Sequence, residues 1–380
     1  MPRSAPTYLD TRDDEGRDDG PGTSNEGDSM PAKPMATPAA GTSSASITNV
    51  AALANVSTAT VSRVLSGKRA KDDDIARRVR AAASALNYSV NYAASALRSD
   101  VTNTIGLIIP SATESLSAQL LDELEQLVDV ESQQLLLGIG RDQATQTERM
   151  ESLMARNVDG LIIIAASGAD LADPLGRFAQ QTPIVQVGGR QRSFRTSMVS
   201  IDENAAMEMT VRHLVSSGVR SVAYLAGKEV SFESAELFAM FHTQMRSYSL
   251  ATANDWNQFG ERTVQRGFHC AMRLFGYGRE EITDDFRARP DALICCDDTV
   301  AFGAMIALDT IGLRIPQDVR IVGYGDSPLA ATTMPQLTSL RPPVGQIAAE
   351  ALRLIAAGPA SPAHITLPPQ LVVRGSTTVG

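Results

Sequence analysis

Ile47-Thr-Asn-Val-Ala-Ala-Leu-Ala-Asn-Val-Ser-Thr-Ala-Thr-Val-Ser-Arg-Val-Leu-Ser-Gly67 is the stretch that decides the fold. Its spacing predicts a short helix from Asn49 to Ala54, entered through Thr48 as N-cap, with Val50 and Leu53 sharing one face. A turn at Asn55-Val56 follows, where asparagine tolerates the left-handed conformation. Ser57 is a good N-cap for a second helix, with Val61, Val64 and Leu65 inward and Gly67 at its end. Thr58, Ala59, Ser62 and Arg63 are left on the outer side. A third helix, from about Asp74 to Leu86, starts with acids as the macrodipole prefers and turns Ile75, Val79, Ala82 and Leu86 inward. A short helix, a tight turn and a second helix with small polar residues at its N-terminus make a helix-turn-helix. Such a helix enters the major groove with its N-terminal residues against base edges. Thr58 and Ala59 permit close approach, and Arg63 has the reach for a guanine edge or a phosphate.

Outward from that stretch, charge is unevenly distributed. The 380-residue chain carries a formal charge of -9, which taken whole argues against nucleic acid. Residues 47–99, however, hold eight Lys or Arg against three Asp, a local basic block of the kind that marks a polyanion partner. Residues 1–46 hold eight acids against four bases, are rich in Pro, Gly, Ser and Thr, and are expected to be a disordered acidic tail. The N-terminus has no apolar segment of a secretory signal, and no apolar run is long enough to span a bilayer. Three cysteines, Cys270, Cys295 and Cys296, form no metal or disulfide spacing, which fits a reducing cytoplasm.

From Asn103 onward the texture is alternating α/β. Apolar runs such as 105–110, 135–139, 160–164 and 183–187 alternate with amphipathic stretches, and a second series runs through 221–225, 292–296 and 319–323. Continuous apolar strands between helices mean buried parallel sheets. Two series predict two doubly wound subdomains with a small-molecule cleft beyond the strands' carboxyl ends. No P-loop, G-x-S-x-G, H-E-x-x-H or dinucleotide fingerprint occurs, and the four His are scattered. No catalytic residue, metal site or cofactor is therefore assigned, and a cytoplasmic small-molecule-binding protein or enzyme is the rival class.

The run from Ile47 to Gly67, with Ala82-Ala-Ser-Ala-Leu-Asn-Tyr88, resembles the opening signature of the lactose-repressor family of bacterial transcription regulators. Later landmarks extend the likeness to about residue 376: Asn157-Val-Asp-Gly-Leu-Ile-Ile163, Ile201-Asp-Glu-Asn-Ala-Ala206, Asp297-Asp-Thr-Val-Ala-Phe-Gly-Ala304, Val322-Gly-Tyr-Gly-Asp326 and Pro335-Gln-Leu-Thr-Ser-Leu-Arg-Pro-Pro343. The resemblance implies an all-α helix-turn-helix head (47–90), a hinge helix and linker (91–102), and a periplasmic-binding-protein-like α/β sensor (103–376). Its N-subdomain would be 103–200 plus 328–358, and its C-subdomain 201–327 plus 359–376. The implied function is a homodimeric regulator, a repressor by default, on a palindromic double-stranded DNA operator and modulated by a small molecule. An alternative is a regulator without a sugar effector, controlled by a protein partner.

Residue by residue, the resemblance makes Thr58, Ala59 and Arg63 base readers. Thr48, Ser57, Thr60, Ser62 and Asn91 join them as DNA contacts, and Leu97 is the hinge residue that wedges into a minor-groove step. The family usually has Gly at Asn55, Pro at Val90 and Arg at Ser95; the last two departures would loosen the hinge and remove a phosphate contact. Asp298 would accept hydrogen bonds from ligand hydroxyls, with Asp297 beside it a candidate helix cap. The family's ligand-binding Arg aligns with Leu237, and its stacking ring with Leu116, beside Glu114. The cationic fork is thus expected to be absent, which argues against an anionic sugar acid or sugar phosphate held in the usual way and for a neutral or cationic ligand. Arg190, Phe232, Trp256 and Asp326 complete the effector candidates.

Overall fold

The computed structural model describes residues 46–65, 69, 71–88, 101–190, 193–228, 231–276, 289–359 and 362–378. The expected tail, the hinge helix with Asn91 and Leu97, and the helix end at Gly67 all lie outside these residues. The chain forms two compact units, divided at Val90.

The first unit is three helices: α1 (Ile47–Ala54), α2 (Thr58–Leu65) and α3 (Asp74–Ala85). Helix α1 starts two residues earlier than its spacing predicts. The Ser46 hydroxyl caps it, accepting from the Asn49 backbone N–H at 3.3 Å, so Thr48 lies in the first turn. Asn55 then takes the left-handed conformation (φ 54°, ψ 54°) and reverses the chain. The core is Val50, Ala51, Ala54, Val61, Val64, Ala76, Val79, Ala82 and Ala83. Leu53 is a correction to the predicted face: it stays 57% exposed. The small side chains Ala51 and Ala54 set the buried side, because only they allow close packing against the alanines of α3, and this turns Leu53 to the rim.

In the second unit, two sheets are each covered by helices on both faces. The first has the order β10-β5-β4-β3-β1-β2, all parallel: β1 (Thr104–Ile109), β2 (Gln134–Ile139), β3 (Gly160–Ile163), β4 (Ile184–Val187), β5 (Ser197–Ile201) and β10 (His364–Leu367). Helices α4 (Ser115–Val130) and α11 (Val344–Ala356) cover one face, and α5 (Gln143–Met154) and α6 (Ala172–Phe178) the other. The second sheet has the order β11-β9-β8-β7-β6, parallel except for β11: β6 (Val222–Leu225), β7 (Ala292–Cys295), β8 (Arg320–Tyr324), β9 (Thr338–Arg341) and β11 (Gln370–Val372). Its helices are α7 (Glu203–Ser216) and α8 (Phe232–Ser247) on one side, α9 (Val264–Phe275) and α10 (Asp298–Thr310) on the other.

The chain crosses between sheets three times, at 201–203, 341–344 and 367–370. This redraws the expected partition. Residues 338–341 pair with β8 in the second sheet, and 364–367 pair with β5 in the first. Both are late segments whose sheet is chosen by long-range pairing, which nothing local in their sequence encodes.

Helices α9 and α10 touch backbone to backbone. A Cβ on Gly303 would lie 1.9 Å from the Val264 carbonyl oxygen, and one on Gly267 2.0 Å from that of Val300. Only glycine fits either position. Their meeting sets the loop before α9 beside the N-terminus of α10, at the end of the sheet where the cleft lies.

Candidate nucleic-acid interface and ligand cleft

On the head, Ser57, Thr58, Ala59, Ser62 and Arg63 are exposed around the first turns of α2, and Thr48 is exposed on α1. Ser57 caps α2, accepting from the Thr60 N–H at 3.2 Å, and its hydroxyl also bonds the Thr60 hydroxyl at 2.9 Å. Thr58 and Ser62 are one turn apart, as are Ala59 and Arg63, so four residues share one small polar face. Much of the block's charge is already neutralised. Arg69 pairs with Asp73 at 2.5 Å, Arg80 with Asp72 at 2.6 Å, and Arg77 with Asp74. Among the described residues of the head, Arg63, Lys71 and Arg78 are the bases without an ion pair. Arg63 is thus a free guanidinium on the outer face of α2.

In the second unit, the expected effector residues separate into two groups. Glu114 and Leu116 stand where β1 gives way to α4, and Leu116 lies against Gly188 after β4. Arg190 follows, its guanidinium 4.6 Å from the centre of the Phe232 ring at the start of α8. These four therefore sit where the two subdomains face each other. The other four are engaged elsewhere. Leu237 packs against the core of the α7–α8 layer. Trp256 packs against the core of the α9–α10 layer, so its ring is a wall of that core. Asp298 is buried and both its oxygens are taken: Oδ1 accepts from Ser339 Oγ at 2.6 Å and Oδ2 from the Ser327 N–H at 2.7 Å. Burial raises its pKa to about 6 against the pull of those two bonds. Asp297 caps α10, accepting from the Thr299 N–H at 2.8 Å. Asp326, left-handed at φ 44°, is buried between Arg341 (2.6 Å) and Arg374 (2.7 Å). It clamps segments near two of the crossovers together: Oδ2 accepts from Arg341, while the buried Oδ1 faces Arg374 in an ion pair but accepts no hydrogen bond.

Sequence reasoning missed a polar group that faces Glu114 of the other subdomain. Glu203, the first residue of α7, accepts from the Tyr324 hydroxyl at 2.9 Å through Oε1, while its buried Oε2 has no partner. Burial lifts its pKa to about 7. Arg262, in the loop before α9, is within electrostatic range of Cys296, Asp297, Glu114 and Tyr224, and also of Glu203 and Tyr324. The side chain reaches solvent, and although the protein crowded around it works against its charge, these neighbours hold its pKa above the ordinary value. The motif position, Leu237, holds no cation, as expected, but a guanidinium besides the expected Arg190 is supplied from a loop that no motif covers. Across the cleft, Gln119 of α4 donates to the Gly325 carbonyl at 2.7 Å.

A helix-turn-helix head followed by a periplasmic-binding-protein-like unit defines a class, the DNA-binding transcriptional regulators. Residues 46–91 match the bacterial regulatory proteins of the lacI family, and residues 211–377 match the periplasmic binding protein-like domain. The chain is 31% identical over 342 residues to the HTH-type transcriptional regulator MalR of Streptomyces coelicolor, covering 87% of this chain and 96% of that one. It is 26% identical over 337 residues to the HTH-type transcriptional repressor PurR of Mannheimia succiniciproducens, covering 87% and 98%. A structure of the lac repressor dimer bound to operator and the anti-inducer ONPF superimposes with a TM-score of 0.73 at 23% identity, over 88% of this chain and 99% of that one, which shows the shared fold. The chain belongs to the LacI family of DNA-binding transcriptional regulators. Among the described residues, no helix is long and apolar enough to cross a membrane.

Proposed function

We propose that the protein is a cytoplasmic repressor that binds a palindromic operator as a homodimer and is modulated by a small molecule between its two sheets. Residues 47–90 form the reading head and 91–102 the hinge. Thr58 and Ala59 approach base edges, and Arg63 takes a guanine edge or a phosphate. Thr48, Ser57, Thr60, Ser62 and Asn91 position the head on the backbone, and Leu97 wedges the minor groove. The ligand shifts the population between DNA-binding and non-binding dimers. A self-association surface is available: the edge strand β2 exposes Leu137 and Ile139, and Val130 at the end of α4 is 80% exposed. The repressor reading is supported by PurR, and the dimer by the lac repressor complex.

The observation that carries the proposal is the exposed face Thr58-Ala59-Ser62-Arg63 with its unpaired guanidinium. The test is fluorescence anisotropy of a selected operator and its single-base variants. Arg63→Ala is expected to weaken the selected sequence by about 1–3 kcal/mol and flatten discrimination at one base pair per half-site. A uniform loss across all variants would make Arg63 a phosphate contact only, and unchanged binding would refute its place in the interface.

A further inference from the structure

The charges of the three-helix head do not close on themselves. Its acids Asp72, Asp73 and Asp74 are each held by a base, Arg80, Arg69 and Arg77. Arg63, Lys71 and Arg78 are left exposed and without an ion pair among the described residues. Two of these belong to one surface. The Arg69 N–H donates to the Arg63 carbonyl at 3.1 Å, which folds the segment leading to Lys71 back against the end of α2. Helix α2 turns Val61 and Val64 into the core, and the outer face Thr58-Ala59-Ser62-Arg63 is exposed. The complementary charge lies earlier in the same unit. Asp10-Thr-Arg-Asp-Asp-Glu-Gly-Arg-Asp-Asp19 holds six acids against two bases, whereas the other 36 residues of the first 46 hold two of each. The acidity of the N-terminal segment is thus gathered into one block of ten residues.

We propose that residues 10–19 dock on the outer face of α2, with carboxylates on Arg63 and Lys71, and so act as a built-in competitor for the DNA-reading surface. A guanidinium takes a carboxylate in the same bidentate way as a phosphate, so one face suits both. The reach is sufficient. Twenty-six residues separate Asp19 from Ser46, the N-cap of α1, and they can span up to about 90 Å. A unit the size of residues 46–88 is about 25 Å across, so every part of its surface is within range. A tethered segment is present at an effective concentration of the order of millimolar, which offsets a weak intrinsic affinity. DNA carries its charge more densely, one per about 1.7 Å of helix axis, so it displaces the segment and is not shut out. The consequence is a uniform weakening of DNA binding, about three- to tenfold at low salt, as for an occupant held at a few times its dissociation constant. The docking itself does not depend on DNA; only its consequence rests on the reading role proposed for α2 above.

The experiment is zero-length carbodiimide coupling of carboxylates to lysines in the full chain, read by mass spectrometry. The chain has four lysines, Lys33, Lys68, Lys71 and Lys228. At low salt, Lys71 should couple to acids within residues 10–19, and the product should be lost on adding a nonspecific DNA duplex or about 0.5 M salt. Lys228, 2.9 Å from Glu261, is the internal control and should couple to that residue. In parallel, fluorescence anisotropy of the same duplex compares wild type with a variant carrying Asp10→Asn, Asp13→Asn, Asp14→Asn, Glu15→Gln, Asp18→Asn and Asp19→Asn. This neutralised variant should bind about three- to tenfold more tightly at about 50 mM salt. Its affinity should also fall more steeply with salt, because the competitor it lacks is itself released by salt. In an Arg63→Ala background the gain should fall by at least half, whereas long-range repulsion alone would give the same gain in both backgrounds. Three results overturn the inference: acids of residues 10–19 couple to Lys228 as often as to Lys71, the neutralised variant and wild type bind DNA equally, or Arg63→Ala leaves the gain unchanged. Coupling to Lys71 while neither protein binds DNA would keep the docking and refute the reading role of α2.

Discussion

Gly303→Ala is a demanding test of the fold, because one methyl group must enter a backbone contact. Its Cβ would sit 1.9 Å from the Val264 carbonyl oxygen and 2.7 Å from the Phe268 nitrogen, where about 3 Å is the closest real approach. Helices α9 and α10 must therefore separate by about 1 Å. Overpacking of this kind costs about 1–3 kcal/mol. The gap it opens also loses a quarter to a half of each dispersion contact it widens among Cys270, Ala271, Phe275, Ala301, Ala304 and Met305. Against this stands a gain of about 1 kcal/mol from replacing glycine by alanine inside a helix. Those two terms sum to a loss of about 0–2 kcal/mol, and the weakened dispersion contacts push the net expectation to about 1–3 kcal/mol. Trp256, the only tryptophan, packs against this same cluster, so its fluorescence in a urea titration reports the right region. Gly176→Ala is the internal control. It too is helical, but its Cβ would meet nothing closer than 3.8 Å, so it should stabilise by up to about 1 kcal/mol. Gly267→Ala added to Gly303→Ala should cost less than it does alone, since the helices have already parted. A Gly303→Ala protein as stable as the Gly176→Ala protein would refute the reading of α9 and α10 as a backbone contact.

Asp298 gives the sensor a pH-dependent stability. Its folded pKa of about 6 lies above the unfolded carboxylate value, so the stability it contributes is complete below about pH 4 and is lost as pH rises through 6. The loss amounts to about 3 kcal/mol, and Asp298→Asn should lessen the fall of urea midpoints between pH 4 and 7, leaving the part that comes from the raised Glu203; an unchanged profile would count against it. Leu97→Ala should weaken operator binding in a gel shift while the thermal melt of the sensor is retained, and equal operator affinity would remove the wedge role. Deleting residues 1–46 removes eight acids and four bases per chain, so binding to nonspecific DNA at low salt should tighten, an effect that unchanged or weaker binding would contradict.

The parts legible in the sequence were those encoded locally. The turn at Asn55, the caps at Ser57 and Asp297 and the alternation of apolar strands with helices each follow from a few neighbouring residues, and the structure has them at those positions. What escaped was decided by distant partners. Asp298 and Asp326 sit in motifs that point to a ligand, yet Ser327, Ser339, Arg341 and Arg374 use their oxygens. Arg262 is the reverse case. Nothing around it in the sequence marks it, and it matters only because the Gly267–Gly303 contact brings its loop to the mouth of the second sheet. The aligned position, Leu237, correctly lacks a cation, but the cleft does not.

The same distinction bears on how the two subdomains are joined. Glu203 is the first helical residue after the first crossover, and its carboxylate is tied to Tyr324. Tyr324 is followed by Gly325, whose carbonyl accepts from Gln119 of the opposite subdomain, and by Asp326, which grips Arg341 at the second crossover and Arg374 beyond the third. The Asp326 carboxylate is buried, Arg374 nearly so and Arg341 half exposed, so losing Arg374 would leave a buried charge short of its better-shielded partner. The cleft acid and the crossover clamp are therefore separated by two residues of β8 and its exit. A contact that moves Glu203 acts on a short, stiff segment already bonded to both subdomains, so coupling across the cleft needs no long chain of intermediates.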